Sequence, residues 1–164
     1  MRVVISDTSP INYLVLIEKQ EILPALFTTI VVPRSVVREM KASGAPLKVR
    51  QWIAVPPSWL DIREPKSPAA ELSYLGEGER DAIQLAEELR ADLLVIDEQA
   101  GREQALRRGL PVIGTLGIVE QAAERGLLDF AIVLAELKGH KFFISPALEG
   151  YFLGRDARRK KPTN

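Results

Sequence analysis

Short apolar runs rich in β-branched residues recur along the chain, with sequence of helical period between them. Val3–Ile5, Thr28–Val32, Leu93–Ile96 and Pro111–Gly114 are continuous, not alternating, which suits strands covered on both faces. Parallel strands need a long crossover between them, and a helix is the usual one. The pattern predicts an α/β fold, a three-layer α/β/α sandwich around a central, mostly parallel sheet. Ser9 followed by Pro10 predicts an N-cap and the first position of a helix carrying Ile11, Leu14, Val15 and Ile17. A short helix over Ile22–Phe27 follows, and Val36, Val37 and Met40 mark another after Pro33. Residues 44–70, broken by Pro46, Pro56, Pro57, Pro65 and Pro68, predict a helix over Leu47–Ile53, an edge strand over Leu60–Arg63 and loops elsewhere. Further helices are predicted over Gly78–Arg90, Ala100–Arg108, Ile118–Arg125, Ala131–Lys138 and Pro146–Leu153.

At 164 residues the chain is expected to form one domain over 1–154, followed by a basic, disordered tail over 155–164 that holds five positive side chains and one negative. With 22 basic and 22 acidic residues it has no global field to attract nucleic acid, so basic side chains would have to act locally. The absence of cysteine excludes disulfides, thiolate zinc sites and cysteine nucleophiles, and the single histidine, His140, excludes a multi-histidine metal cage. No apolar run approaches the ~20 residues of a membrane helix, and the early charges at Arg2 and Asp7 do not fit a secretory leader. A cytoplasmic protein with carboxylate chemistry is expected.

The acids occupy telling places. Asp7 ends the first run and Asp97 ends the Leu93–Ile96 run, and ligands of open parallel sheets bind beyond the carboxyl ends of the strands. If those strands are neighbours, their backbones lie about 4.8 Å apart and the two carboxylates share one edge. Like charges so placed push a pKa up unless a cation joins them, and an oxygen-only acid cluster suits Mg²⁺ or Mn²⁺. Glu39 borders the apolar stripe of its helix. Glu79 and Asp81 flank the Ala82, Leu85, Ala86, Leu89 stripe on opposite sides, so periodicity does not choose between them. Each acid also has a plainer role: helix-dipole pairing for Glu79 and Asp81, a solvated face for Glu39, turn chemistry for Asp7.

Together these segments resemble the PIN-domain nucleases, in their prokaryotic VapC-like branch. The motifs are Val3-Val4-Ile5-Ser6-Asp7-Thr8-Ser9-Pro10, Ile30-Val31-Val32-Pro33 with Val37-Arg38-Glu39-Met40, Gly78-Glu79-Arg80-Asp81-Ala82-Ile83, Leu93-Leu94-Val95-Ile96-Asp97, and Pro111-Val112-Ile113-Gly114-Thr115-Leu116-Gly117. The resemblance implies a metal-dependent endoribonuclease in which Asp7, Glu39, Asp81 and Asp97 hold Mg²⁺ or Mn²⁺, with Glu79 able to replace or assist Asp81. Thr8 or Ser9 would orient a carboxylate or water, and Asn12 would buttress the site. The fourth motif lacks the threonine that many VapC-type chains carry two residues before its aspartate, here Val95. Arg38 and Arg102 are the first choices for binding RNA, ahead of Arg34, Arg107, Arg108 and the Arg158–Lys161 run. The resemblance also implies a homodimer and allows a small antitoxin protein across the acidic groove. Two other classes compete: a non-catalytic PIN scaffold that binds RNA or protein, and an aspartyl-phosphate phosphotransfer domain. The latter usually needs an acid two residues after Asp7, where Ser9 stands.

Overall fold

The structure, a computed structural model, describes residues 2–67 and 70–161. Pro68 and the end of the expected tail, 162–164, lie outside the described residues. By contacts the chain divides into two compact units, Met1–Thr115 and Leu116–Asn164, where composition predicts one domain to residue 154.

The first unit holds a five-stranded sheet with helices on both sides. Its strands are β1 (Val4–Ser6), β2 (Ile30–Pro33), β3 (Leu60–Arg63), β4 (Leu93–Val95) and β5 (Val112–Ile113), in the order β3-β2-β1-β4-β5, all parallel. The predicted α/β sandwich is therefore what forms, and the expected edge strand at Leu60–Arg63 is present. β1, β2 and β4 are buried along their whole length, which is why their sequences are continuous apolar runs and do not alternate. The crossovers carry α1 (Thr8–Leu16), α2 (Ile22–Phe27), α3 (Arg34–Lys41), α4 (Leu47–Ile53), α5 (Glu77–Glu88) and α6 (Gln99–Arg107). The apolar stripe of α5, Ala82, Ile83, Leu85 and Ala86, is buried with Ile5, Val31 and Leu94 of the sheet. Each such fully buried Ile or Leu contributes roughly 1.5–3 kcal/mol.

One local expectation is corrected. α1 begins at Thr8 with Asp7 as its N-cap, so Ser9 is not the cap and Pro10 sits inside the first turn, where a missing N–H is harmless.

The second unit contains α7 (Thr115–Glu124) from Leu116 onward, α8 (Phe130–Gly139) and α9 (Pro146–Lys160). α9 starts on the Ser145 side chain, which accepts from the Leu148 N–H, and runs well past Leu153. The disordered tail expected from residue 155 is thus helical as far as Lys160. Ion pairs from Arg155 and Arg159 to Glu120, and from Arg159 and Lys160 to Asp156, replace the apolar stripe that the sequence lacks there. Phe152 stacks on Phe130 with centroids 5.8 Å apart. Among the described residues no helix is long and apolar enough to cross a membrane.

Candidate active site

β1 lies at the centre of the sheet, with β2 on one side and β4 on the other, so the chain order reverses at β1. Crevices at such reversals, beyond the carboxyl ends of the strands, are where open α/β sheets bind ligands. Asp7 stands there. Its N–H donates to the Val95 carbonyl at 3.0 Å, which carries the β1–β4 ladder one residue past β1 and fixes the backbone under the carboxyl group. Ser6 Oγ donates to the Asp7 carbonyl at 2.9 Å. The Thr8 hydroxyl donates to Glu39 Oε2, tying the start of α1 to α3.

Gly78, in the first turn of α5, is the meeting point. A Cβ on Gly78 would stand 3.0 Å from Glu39 Oε2, 3.2 Å from Asp7 Oδ1 and 3.2 Å from Val36 Cγ2. Helices α3 and α5 and strand β1 therefore bring two carboxylates to one point, and only a residue without a side chain leaves that point open.

The electrostatics record the crowding. Asp7 is 4% exposed. Burial pushes its carboxyl up to about 7, against the lowering effect of the Thr8 N–H, and the charges of Glu79, Glu39 and Asp97 push in the same direction as burial. Burial, then the charges of Glu98 and Glu39, also raises Glu79 above the usual carboxylate range. Asp7 thus feels Glu79, Glu39 and Asp97 at this edge, and Glu79 feels Glu98 and Glu39.

Asp97 follows β4 and is held by the residue after the next strand. Thr115 donates to it twice, from its N–H at 2.8 Å and from its hydroxyl at 2.6 Å. Thr115 is fully buried, and a Cβ on Gly114 would stand 2.8 Å from Asp97 Oδ1, so that glycine leaves room for the carboxylate. The hydroxyl missing from β4 is supplied from beyond β5. Loss of this bond in Thr115→Val is expected to destabilise the fold by about 1.5–3 kcal/mol, the usual worth of a hydrogen bond to a charged group, and to misplace Asp97. Thr115→Ser should recover most of both, measured by thermal unfolding and by activity. Equal behaviour of the Val and Ser variants would deny the hydroxyl this role.

Of the acids matched in the third motif, Glu79 is the one whose charge reaches Asp7. Asp81 is buried in a cleft with Arg34 and Ser35, and its Oδ1 lies 3.2 Å from Arg80 Nε. Asp81 thus faces the guanidinium groups of that cleft, while the charges that reach Asp7 are those of Glu79, Glu39 and Asp97. On α5 the face carrying Gly78 and Asp81 looks to α3, while Glu79, one residue round, reaches toward α6. Glu79 Oε2 would lie 2.9 Å from a Cβ on Gly101 there.

Among the supporting residues, Thr8 is placed as expected. Ser9 is half-buried beside it. Asn12, four residues after Thr8 and on the same face of α1, has an enclosed Oδ1 without a hydrogen-bond partner. Arg38 is exposed at the rim and pairs with Glu77 at 3.0 Å. Arg102 is half-buried, and its Nη1 donates to the Ile96 carbonyl at 2.9 Å, so it braces the strand end below Asp97. Arg108 pairs with Glu71 and Glu87, and Lys160, in the Arg158–Lys161 run, pairs with Asp156 and Asp129. His140 closes α8 as its C-cap. Tyr13 of α1, which no sequence motif marks, has its hydroxyl pKa raised by burial and then by the charges of Asp97 and Glu98.

A family model described as a PIN domain, DUF3368, matches residues 3–155. The chain belongs to that PIN-domain family. PIN domains are in general nucleases. Among solved structures the fold is similar to a PilT N-terminus domain protein from the hyperthermophilic archaeon Sulfolobus solfataricus P2, with 23% identity over 72% of this chain and 90% of that one and a TM-score of 0.51. At that identity the likeness is one of fold. No curated protein matches the chain.

The donors in this PIN domain fit a divalent cation of the Mg²⁺ or Mn²⁺ kind. They are oxygens only, two of them converge on the space kept by Gly78, and the Asn12 Oδ1 on the adjoining helix lacks a partner. Among the described residues no three Asp, Glu or His side chains stand close enough to share one ion. Of the four expected ligands, Asp7 and Glu39 converge on the space over Gly78, and the charges of Glu79 and Asp97 reach Asp7. Mg²⁺ suits such a pair, because it keeps several waters and is commonly held by one or two carboxylates with substrate phosphate completing its shell.

Proposed function

We propose that this PIN domain is an endoribonuclease that hydrolyses phosphodiester bonds of single-stranded RNA with Mg²⁺ or Mn²⁺. The observation that carries the reading is the convergence of Asp7 Oδ1 and Glu39 Oε2 on the space over Gly78. A buried carboxylate without a counter-charge, as Asp7 is, is unfavourable, and a protein that only binds RNA gains nothing from setting it among three further acids.

A divalent ion at such a site supplies a nucleophile by acidifying its water and offsets charge on the phosphate. Asp7 and Glu39 would hold it. Thr8, donating to Glu39, fixes that carboxylate's rotamer, and Thr115 does the same for Asp97. Glu79, whose carboxyl is held above the usual carboxylate range by burial and then by the charges of Glu98 and Glu39, stands at the α6 side of the cluster. No protein nucleophile is needed. The motif wording around Asp7 and Gly114 supports extending the reading to a VapC-like toxin, a cytoplasmic homodimer restrained by a small antitoxin.

The test is incubation of the protein with end-labelled single-stranded RNA in Mn²⁺ or in EDTA. Cutting in Mn²⁺ and none in EDTA is expected. RNA bound but left whole in Mn²⁺ would select a binding scaffold, and a stable phosphoenzyme formed from a small phosphodonor would select phosphotransfer.

A further inference from the structure

Beside the acid pair, past the carboxyl ends of β2 and β3, lies a cleft of about 280 Å³ lined by Arg34, Ser35, Arg38, Glu64, Arg80 and Asp81. α3 begins at this cleft, and its N-cap, Pro33, offers the first-turn N–H groups no side-chain acceptor. Ser35 is only 5% exposed, and its enclosed hydroxyl has no hydrogen-bond partner. Buried side-chain polar atoms without a partner are uncommon, and this one belongs to a residue of a cleft that holds three guanidinium groups and two carboxylates.

The three guanidinium groups rest on the protein's own carboxylates. Arg34 Nε lies 3.4 Å from Glu64, Arg38 lies 3.0 Å from Glu77 and Arg80 Nε lies 3.2 Å from Asp81. In the first two pairs both partners are more than half exposed, and pairs of that kind are weak and exchange readily. The Arg80–Asp81 pair is mostly buried and stays fixed.

We propose that this cleft is a phosphodiester subsite. It takes a backbone phosphate of the RNA next to the one at the acids, through the Ser35 hydroxyl, the first-turn N–H groups of α3 and the Arg34 and Arg80 guanidinium groups. Glu64 is the internal competitor that the phosphate displaces from Arg34. Arg38 immediately precedes Glu39, and its partner Glu77 immediately precedes Gly78, so the cleft and the acid pair share a border. A strand lying across β1, β2 and β3 passes from one to the other. Asp81 then has a role of its own as a positioning residue that aims Arg80. The inference rests on the RNA reading above.

Binding is measured in the Asp7→Asn background in EDTA, by fluorescence anisotropy of a labelled single-stranded RNA of about ten nucleotides at several salt concentrations. Arg34→Ala is expected to weaken binding about tenfold and to lower the salt slope by about 0.7, the value for one phosphate contact on a single strand. Ser35→Ala should weaken it about fivefold, as for one lost hydrogen bond. Glu64→Gln should tighten binding about threefold, because a like charge leaves the site. A merely structural ion pair would not give that sign. Arg107→Ala, which removes the same charge from α6, is the control. The proposal is overturned if Arg34→Ala matches Arg107→Ala, or if Glu64→Gln weakens binding. It is also overturned if inorganic phosphate, at matched ionic strength, binds the cleft while RNA affinity ignores all three variants, since the site is then one for free anions. Because no cleavage is read, a protein that never cuts RNA in Mn²⁺ would still return these results, and the two failures stay distinct.

Discussion

Asp7→Asn is expected to lower Mn²⁺-dependent RNA cleavage on the order of a thousandfold, about 4 kcal/mol of transition-state stabilisation, while making the metal-free protein more stable. The second half follows from burial. In the folded protein the Asp7 carboxyl titrates at about 7, against 3.8 for the ordinary side chain. Between those values the folded chain retains a proton that the unfolded chain has released, so stability falls as pH rises across the window. Below it both states are protonated and the effect vanishes. Above it the penalty is complete, on the order of 4 kcal/mol as an upper figure. Asparagine cannot ionise, so the variant should lose this pH dependence and melt higher than the parent at pH about 8, with little difference near pH about 4. Thermal unfolding of both proteins in EDTA at the two pH values measures it. Parallel curves would mean that Asp7 is not the strained group, and retained cleavage would remove it from the centre.

Gly78→Ala should separate the site from the fold. Alanine in a helix is favoured over glycine by roughly 0.5–1 kcal/mol, so the helix itself gains. The added methyl, though, would stand 3.0 Å from Glu39 Oε2 and 3.2 Å from both Asp7 Oδ1 and Val36 Cγ2. Val36 is fully buried, so the carboxylates are the groups that give way. Mn²⁺ affinity, read by calorimetric titration, is expected to fall about 10–100-fold, the range seen when the support of a metal site is disturbed. Cleavage should fall with it while the melting temperature changes little. Undiminished Mn²⁺ affinity would mean that the space over Gly78 is not where the ion sits.

The strands were legible because burial on both faces leaves no polar alternation, and with them came Asp7 and Asp97, whose neighbourhood depends only on β1 and β4 pairing. Glu39 was legible for the same kind of reason, lying on the margin of an apolar stripe. The choice between Glu79 and Asp81 was not, because both flank the stripe of α5 and nothing local tells its two sides apart. Packing of α5 on α3, made close by Gly78, decides it by turning Asp81 into the arginine cleft. Thr115 escaped for a related reason, since its bond to Asp97 joins residues that meet only when β5 lines up beside β4. The reach of α9 beyond Leu153 was hidden because ion pairs with Glu120 and Asp156 stabilise it where apolar spacing ends.

The central place of β1 also sets when the centre can exist. Val4 pairs with Leu93, and Asp97 depends on Thr115, so the contacts that gather the acids span most of the first unit. Such long loops close late and slowly. A chain still emerging from the ribosome carries its acids scattered, and the centre is assembled only after most of the message that encodes it has been read.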